Sequence, residues 1–277
     1  MRPRSDPYPL RTETMDEGLW PLPDRHLTTG RALAAAQTAP QRGNVDANIA
    51  QHLELAHVAA NENVRLIVFP ELSLTGYELD LALTLAFSER DPRLTPLVES
   101  AASHEMTIVV GAPVRLASRL HIGAFIISPL RIIELYTKHH LGTGEDTVMH
   151  PGNLNPLVRV GQRVGAVAVC ADANHPSHPA EAARLGARDY LVSTFITPQQ
   201  LETKTAALRA YAKQHAMTVV FANYGGPSGG LPGGGGSAIW TDHGEPVALL
   251  EGTGAGLAIA IENDDGWRGM TMRLDGI

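Results

Sequence analysis

Cys170 is the only cysteine in a chain of 277 residues. It closes an apolar run, Arg163-Val164-Gly165-Ala166-Val167-Ala168-Val169, whose valines favour a β-strand. Asp172, Asn174, His175, Pro176 and Ser177 follow at once and read as a turn. Pro179 to Leu185 then reads as a short helix closed by Gly186. The thiol therefore sits where a strand gives way to a loop and a helix, the place where α/β proteins bind ligands. A buried cysteine is more often a small apolar filler, but two other strand ends carry matching chemistry. Glu71 ends the run Arg65-Leu66-Ile67-Val68-Phe69-Pro70, and Lys138 ends Ile132-Ile133-Glu134-Leu135-Tyr136-Thr137. A thiol, a carboxylate and an ammonium at three strand ends make a nucleophile, a base and an electrophilic stabiliser.

A free thiol with a pKa near ~8.5 is only a few per cent thiolate at neutral pH. A neighbouring Lys138 stabilises the thiolate, and a neighbouring Glu71 accepts its proton. Partial burial raises a carboxylate pKa towards neutrality, which suits a proton shuttle. The Glu–Lys pairing also accounts for two charges being tolerated inside a core.

Three blocks resemble signatures of the nitrilase (carbon–nitrogen hydrolase) superfamily. They are Phe69-Pro70-Glu71-Leu72-Ser73-Leu74-Thr75-Gly76-Tyr77, Tyr136-Thr137-Lys138-His139-His140-Leu141 and Val169-Cys170-Ala171-Asp172. They occur in the order Glu, Lys, Cys. The similarity runs from about Arg31 to Ile261 and takes in Phe221-Ala222-Asn223 and Gly236-Ser237-Ala238-Ile239-Trp240. The resemblance implies an α/β fold, a four-layer α-β-β-α sandwich of two mixed sheets. It implies a small-molecule amide or nitrile substrate and a thioester on Cys170, with Glu71 as base and no cofactor. Lys138 and the Ala171 amide would hold the oxyanion. Glu145, seven residues after Lys138, would position substrate or complete the charge network. Tyr77, Ala171, Asn174, His175, Phe195 and Asn223 are the candidate pocket residues; His140 could replace His175 there, and Glu78 lies beside Tyr77. Asp172 is expected to brace the strand end. Asn174 and Ser177 stand where many members carry an arginine and a glutamate. The missing arginine argues against a dicarboxylic monoamide and for a small neutral or cationic amide. A nitrilase, an N-carbamoyl hydrolase, an acyltransferase and a non-catalytic scaffold are the competing readings, the last opposed by retention of Glu71, Lys138 and Cys170. The family also implies a homodimer or a larger homo-oligomer.

Composition narrows the classes further. The formal charge is −7 with 44% hydrophobic residues. No basic cluster is present, which argues against nucleic acid or anionic membrane as partner. A lone cysteine excludes an internal disulfide framework and suits a reducing cytoplasm. No apolar run has transmembrane length. Met1 to Pro23 holds five prolines and lacks the apolar centre of a secretory signal. Residues 1–28 read as an extended tail or docking arm, with Met15 an alternative start, and residues 29–277 as a single domain. His139, His140, His175 and His178 invite a zinc reading, but the His175–His178 pair lies in a proline-broken loop with no second cysteine. No metal is expected. Gly225–Gly236 lacks the Lys-Ser/Thr ending of a phosphate loop and reads as a mobile loop at the mouth of the site. Gly252–Gly256 does not match a dinucleotide fingerprint.

The elements that must position these residues follow from periodicity and turn signals. Strands are expected at 31–37, 65–69, 107–110, 163–170, 190–194, 218–222, 237–241, 246–250 and 256–261. An antiparallel pair is expected over 121–127 and 132–137. Helices are expected from Asn44 to about Asn61, over 79–87, 94–104, 179–185 and 198–216. Residues 263–277 read as a polar tail with a strand-like piece at 270–274.

Overall fold

The alanine-rich stretch Arg31–Gln37 forms β1, buried over all but its first residue, because small side chains let layers pack on both of its faces. A computed structural model describes residues 30–274; the tail expected over 1–28 and the start at Met15 lie outside the described residues. β1 runs parallel to β2 (Leu66–Val68), and β2 runs parallel to β3 (Thr107–Leu116). Antiparallel β4 (Arg119–Ile127) and β5 (Ile133–Thr137) extend one side of this sheet. A second sheet repeats the plan. Its parallel centre is β7 (Arg163–Val169), β8 (Asp189–Ser193) and β9 (Thr218–Ala222), preceded at one edge by β6 (Leu157–Val160). Antiparallel β10 (Ala238–Trp240) and β11 (Pro246–Leu249) complete it. β12 (Gly256–Asn263) and β13 (Gly266–Arg273) return to the first sheet beside β1.

The two sheets pack face to face. Leu33, Val68, Val109 and Ile126 of the first meet Val167, Val169, Leu191 and Val220 of the second in one buried cluster. Helices cover the outer faces: α1 (Val45–Asn61) and α3 (Thr95–Ser103) on the first sheet, α4 (Ser177–Arg184) and α5 (Pro198–His215) on the second. The result is the expected four-layer sandwich of mixed sheets. Asn44 caps α1 by accepting from the Ala47 amide.

Several expectations are corrected. The helix foreseen over 79–87 contracts to α2 (Ala82–Leu85). Phe87 instead lies buried beside β3, donating its amide to the Pro113 carbonyl and accepting from the Arg115 amide. β3 does not stop at Val110. It continues through Gly111-Ala112-Pro113, paired with β4 to Leu116. Pro113 is tolerated because β2 leaves β3 at Val109, so no ladder on that side requires its missing N–H. β6 was not foreseen, being four residues long. β13 is longer than the piece expected at 270–274, and its largely exposed face concealed it as polar tail.

Gly111 shows why this extension matters. A Cβ there would lie 2.3 Å from the Leu72 amide nitrogen and 2.8 Å from the Pro70 carbonyl oxygen. Both are backbone atoms of the turn that carries Glu71. Gly111→Ala is therefore expected to destabilise the protein by about 1–3 kcal/mol, read as a lowered urea midpoint. An unchanged midpoint would contradict the close approach.

Candidate active site

Each functional side chain leaves the end of a strand in the inter-sheet layer. Beyond β2, Phe69 still donates its amide to Val109, and the chain turns at Glu71-Leu72, where Leu72 takes a φ of 52°. Beyond β5, Lys138 donates its amide to Ile122 and accepts at its carbonyl from Gly152. Beyond β7, Cys170 itself adopts a φ of 46° and opens a 3-10 turn, Cys170–Asn174. A left-handed non-glycine residue costs roughly 1–2 kcal/mol, so other interactions must hold it. Asp172 supplies them. One carboxylate oxygen accepts from the Val169 amide at 3.0 Å and the Tyr136 hydroxyl at 2.7 Å, while the other accepts from the His139 and His140 amides at 3.1 and 2.8 Å. The Cys170 turn is thereby stitched to the segment that follows Lys138, which is the bracing role expected of Asp172.

Glu71, Lys138 and Glu145 are 0, 0 and 1% exposed. The Lys138 Nζ lies 2.7 Å from Glu71 Oε1 and 2.7 Å from Glu145 Oε1. Glu145 is fully engaged. Its Oε1 also accepts from the Tyr77 hydroxyl at 2.6 Å, and its Oε2 from the Gly142 amide at 2.7 Å. Glu71 is not. Its Oε2 is buried without a hydrogen-bond partner among the described residues, and the Cys170 thiol is near enough to perturb this carboxylate. The sulfur is 3.9 Å from the Phe195 carbonyl oxygen. An ammonium has three N–H donors; two are committed to carboxylates, which leaves one for a developing oxyanion.

Burial pushes the Glu71 carboxyl up to about 7, opposed by the Lys138 charge and helped by Glu145. Burial by itself would lower the Lys138 ammonium, but the charges of Glu71, Cys170 and Glu145 outweigh it and hold it above its ordinary value. Burial and the Glu71 charge push the Cys170 thiol up to about 12, against the pull of Lys138. The resting sulfur is thus protonated, and any use of it as a nucleophile would require a base to take its proton.

The pocket candidates divide. Tyr77 and Phe195 pack with ring centroids 5.1 Å apart, and Phe195 meets Tyr224 edge-on at 4.9 Å, forming an aromatic wall beside the sulfur. Ala171 follows Cys170 directly and is buried. Asn174 is exposed, and its side chain accepts from the Lys204 ammonium. His175 is also exposed and stacks on His140 at 3.8 Å. Asn223 is buried. It accepts from the Ile196 amide and donates to the Ile196 and Gly235 carbonyls, so its side chain fastens loops together. The structure therefore gathers Tyr77, Ala171 and Phe195 around the thiol and engages Asn174 and Asn223 elsewhere.

The glycine-rich loop foreseen as mobile is tied down at its base by Asn223 and at its tip by Glu78. His178, pushed down to about 4 by burial, sits between the Tyr136 and Tyr190 hydroxyls as a neutral hydrogen-bonding node. Among the described residues, no group of three or more His, Cys, Asp or Glu side chains is arranged to hold a metal ion. Two residues escaped sequence reasoning: Tyr224, whose hydroxyl donates to the Glu71 carbonyl at 2.6 Å, and Ser193, whose hydroxyl donates to the Phe69 carbonyl at 2.8 Å. Their only signal was position, at the ends of β9 and β8.

A model of the carbon-nitrogen hydrolase family matches residues 32–262, and the chain belongs to that family. Among curated proteins it is 26% identical over 204 residues to an (R)-stereoselective amidase from a Pseudomonas species, covering 73% of this chain and 74% of the relative. It is 24% identical over 222 residues to the glutamine-dependent NAD(+) synthetase of Thermotoga maritima, covering 76% of this chain but only 38% of that protein. In fold it is similar to the amidase from Nesterenkonia sp. AN1; a double mutant of that enzyme, in complex with acrylamide, superposes with a TM-score of 0.79 at 24% identity, covering 90% of this chain and 94% of the other. Among the described residues, no helix is long and apolar enough to cross a membrane.

The raised Glu71 carboxyl has a consequence for stability. Its folded value of about 7 exceeds its ordinary 4.5, so the native state binds more protons than the unfolded state between those pH values and loses stability as pH rises through them. Glu71→Gln removes this dependence. The stability of that variant relative to the parent should climb from pH 4.5 to 7, measured by urea unfolding at each pH. A difference that does not change with pH would contradict the shift.

Proposed function

We propose that the chain hydrolyses the carbon–nitrogen bond of a small linear amide through a thioester on Cys170. The observation that carries this reading is the buried, unpartnered Oε2 of Glu71 beside the thiol, with Lys138 holding the other oxygen of the same carboxylate. The sulfur attacks the amide carbonyl carbon while its proton passes to Glu71. The carbonyl oxygen takes the negative charge and is met by the third N–H of Lys138 and by the Ala171 amide. The carbon–nitrogen bond then breaks as Glu71 returns the proton to the leaving ammonia or amine. Water, deprotonated by Glu71, attacks the thioester carbon, and the acid leaves as the thiol is restored. The aromatic wall of Tyr77 and Phe195 favours a short apolar acyl group.

A second reading has its own support. The alignment with glutamine-dependent synthetases favours an amide bearing both charges of an amino acid. Ammonia release from butyramide, glutamine, a nitrile and an N-carbamoyl compound separates these readings.

Two outcomes test the assignment of roles. Cys170→Ala is expected to abolish hydrolysis while leaving the fold intact, and intact-mass spectrometry of the parent with substrate should trap an acyl adduct. Substantial turnover by the purified alanine variant would end the covalent scheme. Lys138→Met should lower kcat at least ~100-fold with a much smaller change in KM, because the oxyanion exists only beyond the ground state. Lys138→Arg should fail as well, since a planar guanidinium cannot place a compact charge at the same point. A Lys138→Arg enzyme with near-full turnover would reduce Lys138 to a counter-charge.

A further inference from the structure

Glu78 is a carboxylate only 7% exposed that takes no part in the reaction just described. Its Oε1 accepts from the Ser228 hydroxyl at 3.0 Å and from the Gly229 amide at 2.9 Å. Its Oε2 faces Arg42 Nε at 3.1 Å. Ser228 passes the contact on, because its hydroxyl oxygen also accepts from the Tyr77 amide at 2.8 Å. The surfaces mesh closely here. A Cβ on Gly229 would lie 2.5 Å from the Tyr77 carbonyl oxygen, and a Cβ on Gly76 would lie 3.0 Å from Ser228 Oγ. The tip of the glycine-rich loop and the turn that follows Glu71 are therefore one unit, with Glu78 as its fastening.

Tyr77 stands in the middle of this unit. Its backbone is held by Ser228, its ring packs on Phe195, and its hydroxyl donates to Glu145 Oε1, the oxygen that also holds Lys138. A continuous path runs from Glu78 through Ser228 and Tyr77 to Glu145 and Lys138. We propose that Glu78 is a positioning residue: by clamping Ser228 and Gly229 it fixes the Tyr77 hydroxyl on Glu145, and so sets where the Lys138 ammonium sits relative to Cys170. The requirement is two hydrogen bonds to one acceptor oxygen; a glutamine amide oxygen can accept both, the exposed Arg42 side chain turning away from the new amide NH2.

This inference rests on the functional reading for its importance, but its test does not need a substrate. The rate of Cys170 alkylation by iodoacetamide at fixed pH reports the thiol's surroundings directly. Glu78→Ala and Ser228→Ala should each slow it about tenfold or more, in line with the effect of a displacement of about an ångström in a catalytic group. Glu78→Gln should stay within about threefold of the parent, the two hydrogen bonds surviving. The decisive arm is a double-mutant cycle. If Glu78 acts through the Tyr77 hydroxyl, Glu78→Ala combined with Tyr77→Phe alkylates no more slowly than the slower single variant. Effects that multiply, parent-like rates in both alanine variants, or a glutamine variant as slow as the alanine one would each overturn the proposal. Should Glu78→Ala not fold, Ser228→Ala with Tyr77→Phe closes the same cycle. On butyramide, the same variants should lose kcat more than KM rises. A parent that turns over no amide would refute the functional reading and leave the alkylation cycle interpretable.

Discussion

One ammonium shared between two carboxylates in a buried layer governs this molecule. Lys138 cannot neutralise Glu71 and Glu145 together, and burial makes the deficit expensive. The cluster resolves it unequally. Glu145 collects Lys138, Tyr77 and the Gly142 amide, whereas Glu71 has Lys138 alone. Two chemically identical side chains thereby acquire different work, one fixing the ammonium and the other keeping an oxygen free to take a proton. Environments that push paired titratable groups apart are how one site obtains both an anchor and a base near neutral pH.

The fold is the apparatus that keeps this cluster buried and assembled. Glu71 and Lys138 come from the first sheet and Cys170 from the second, so the site exists only while the sheets stay in register. Hydrogen bonds cross between them around the site: the Ser193 hydroxyl to the Phe69 carbonyl, the Tyr224 hydroxyl to the Glu71 carbonyl, and the His139 and His140 amides to the Asp172 carboxylate. Asp172 also holds Cys170 in its left-handed conformation through the Val169 amide. A side chain that touches no substrate in the proposed scheme thus binds both partners of the sulfur chemistry, the turn that carries it and the segment that follows the ammonium.

Much of this was legible in the sequence, for identifiable reasons. Largely apolar runs that stop at Glu71, Lys138 and Cys170 signal strand ends, because ionisable residues interrupt continuous burial. The alternation of strands with helices indicated an α/β fold, and the resemblance to the nitrilase superfamily supplied the layers. What was hidden depends on contacts distant in sequence. Leu79–Phe87 has helical spacing, yet Phe87 gains more by pairing with β3 across Pro113. Asn174 and His175 follow the nucleophile by a few residues, but the 3-10 turn faces them to Lys204 and His140. Asn223 was placed correctly at a strand end, while its use as a loop fastener required knowing where Ile196 and Gly235 return. Glycines 225 to 236 read as slack, and only the mesh with Tyr77 and Glu78 reveals a fixed surface.

In the proposed scheme, Glu71 is the base that relieves a protonated thiol near neutral pH. The direct measurement is the rate of Cys170 alkylation by iodoacetamide against pH, in the parent and in Glu71→Gln. The parent should show a rising limb with a midpoint near 7, where Glu71 ionises, and the glutamine variant should lack it. Superimposable profiles in the two proteins would show that the carboxylate does not control the thiol, and would contradict the account.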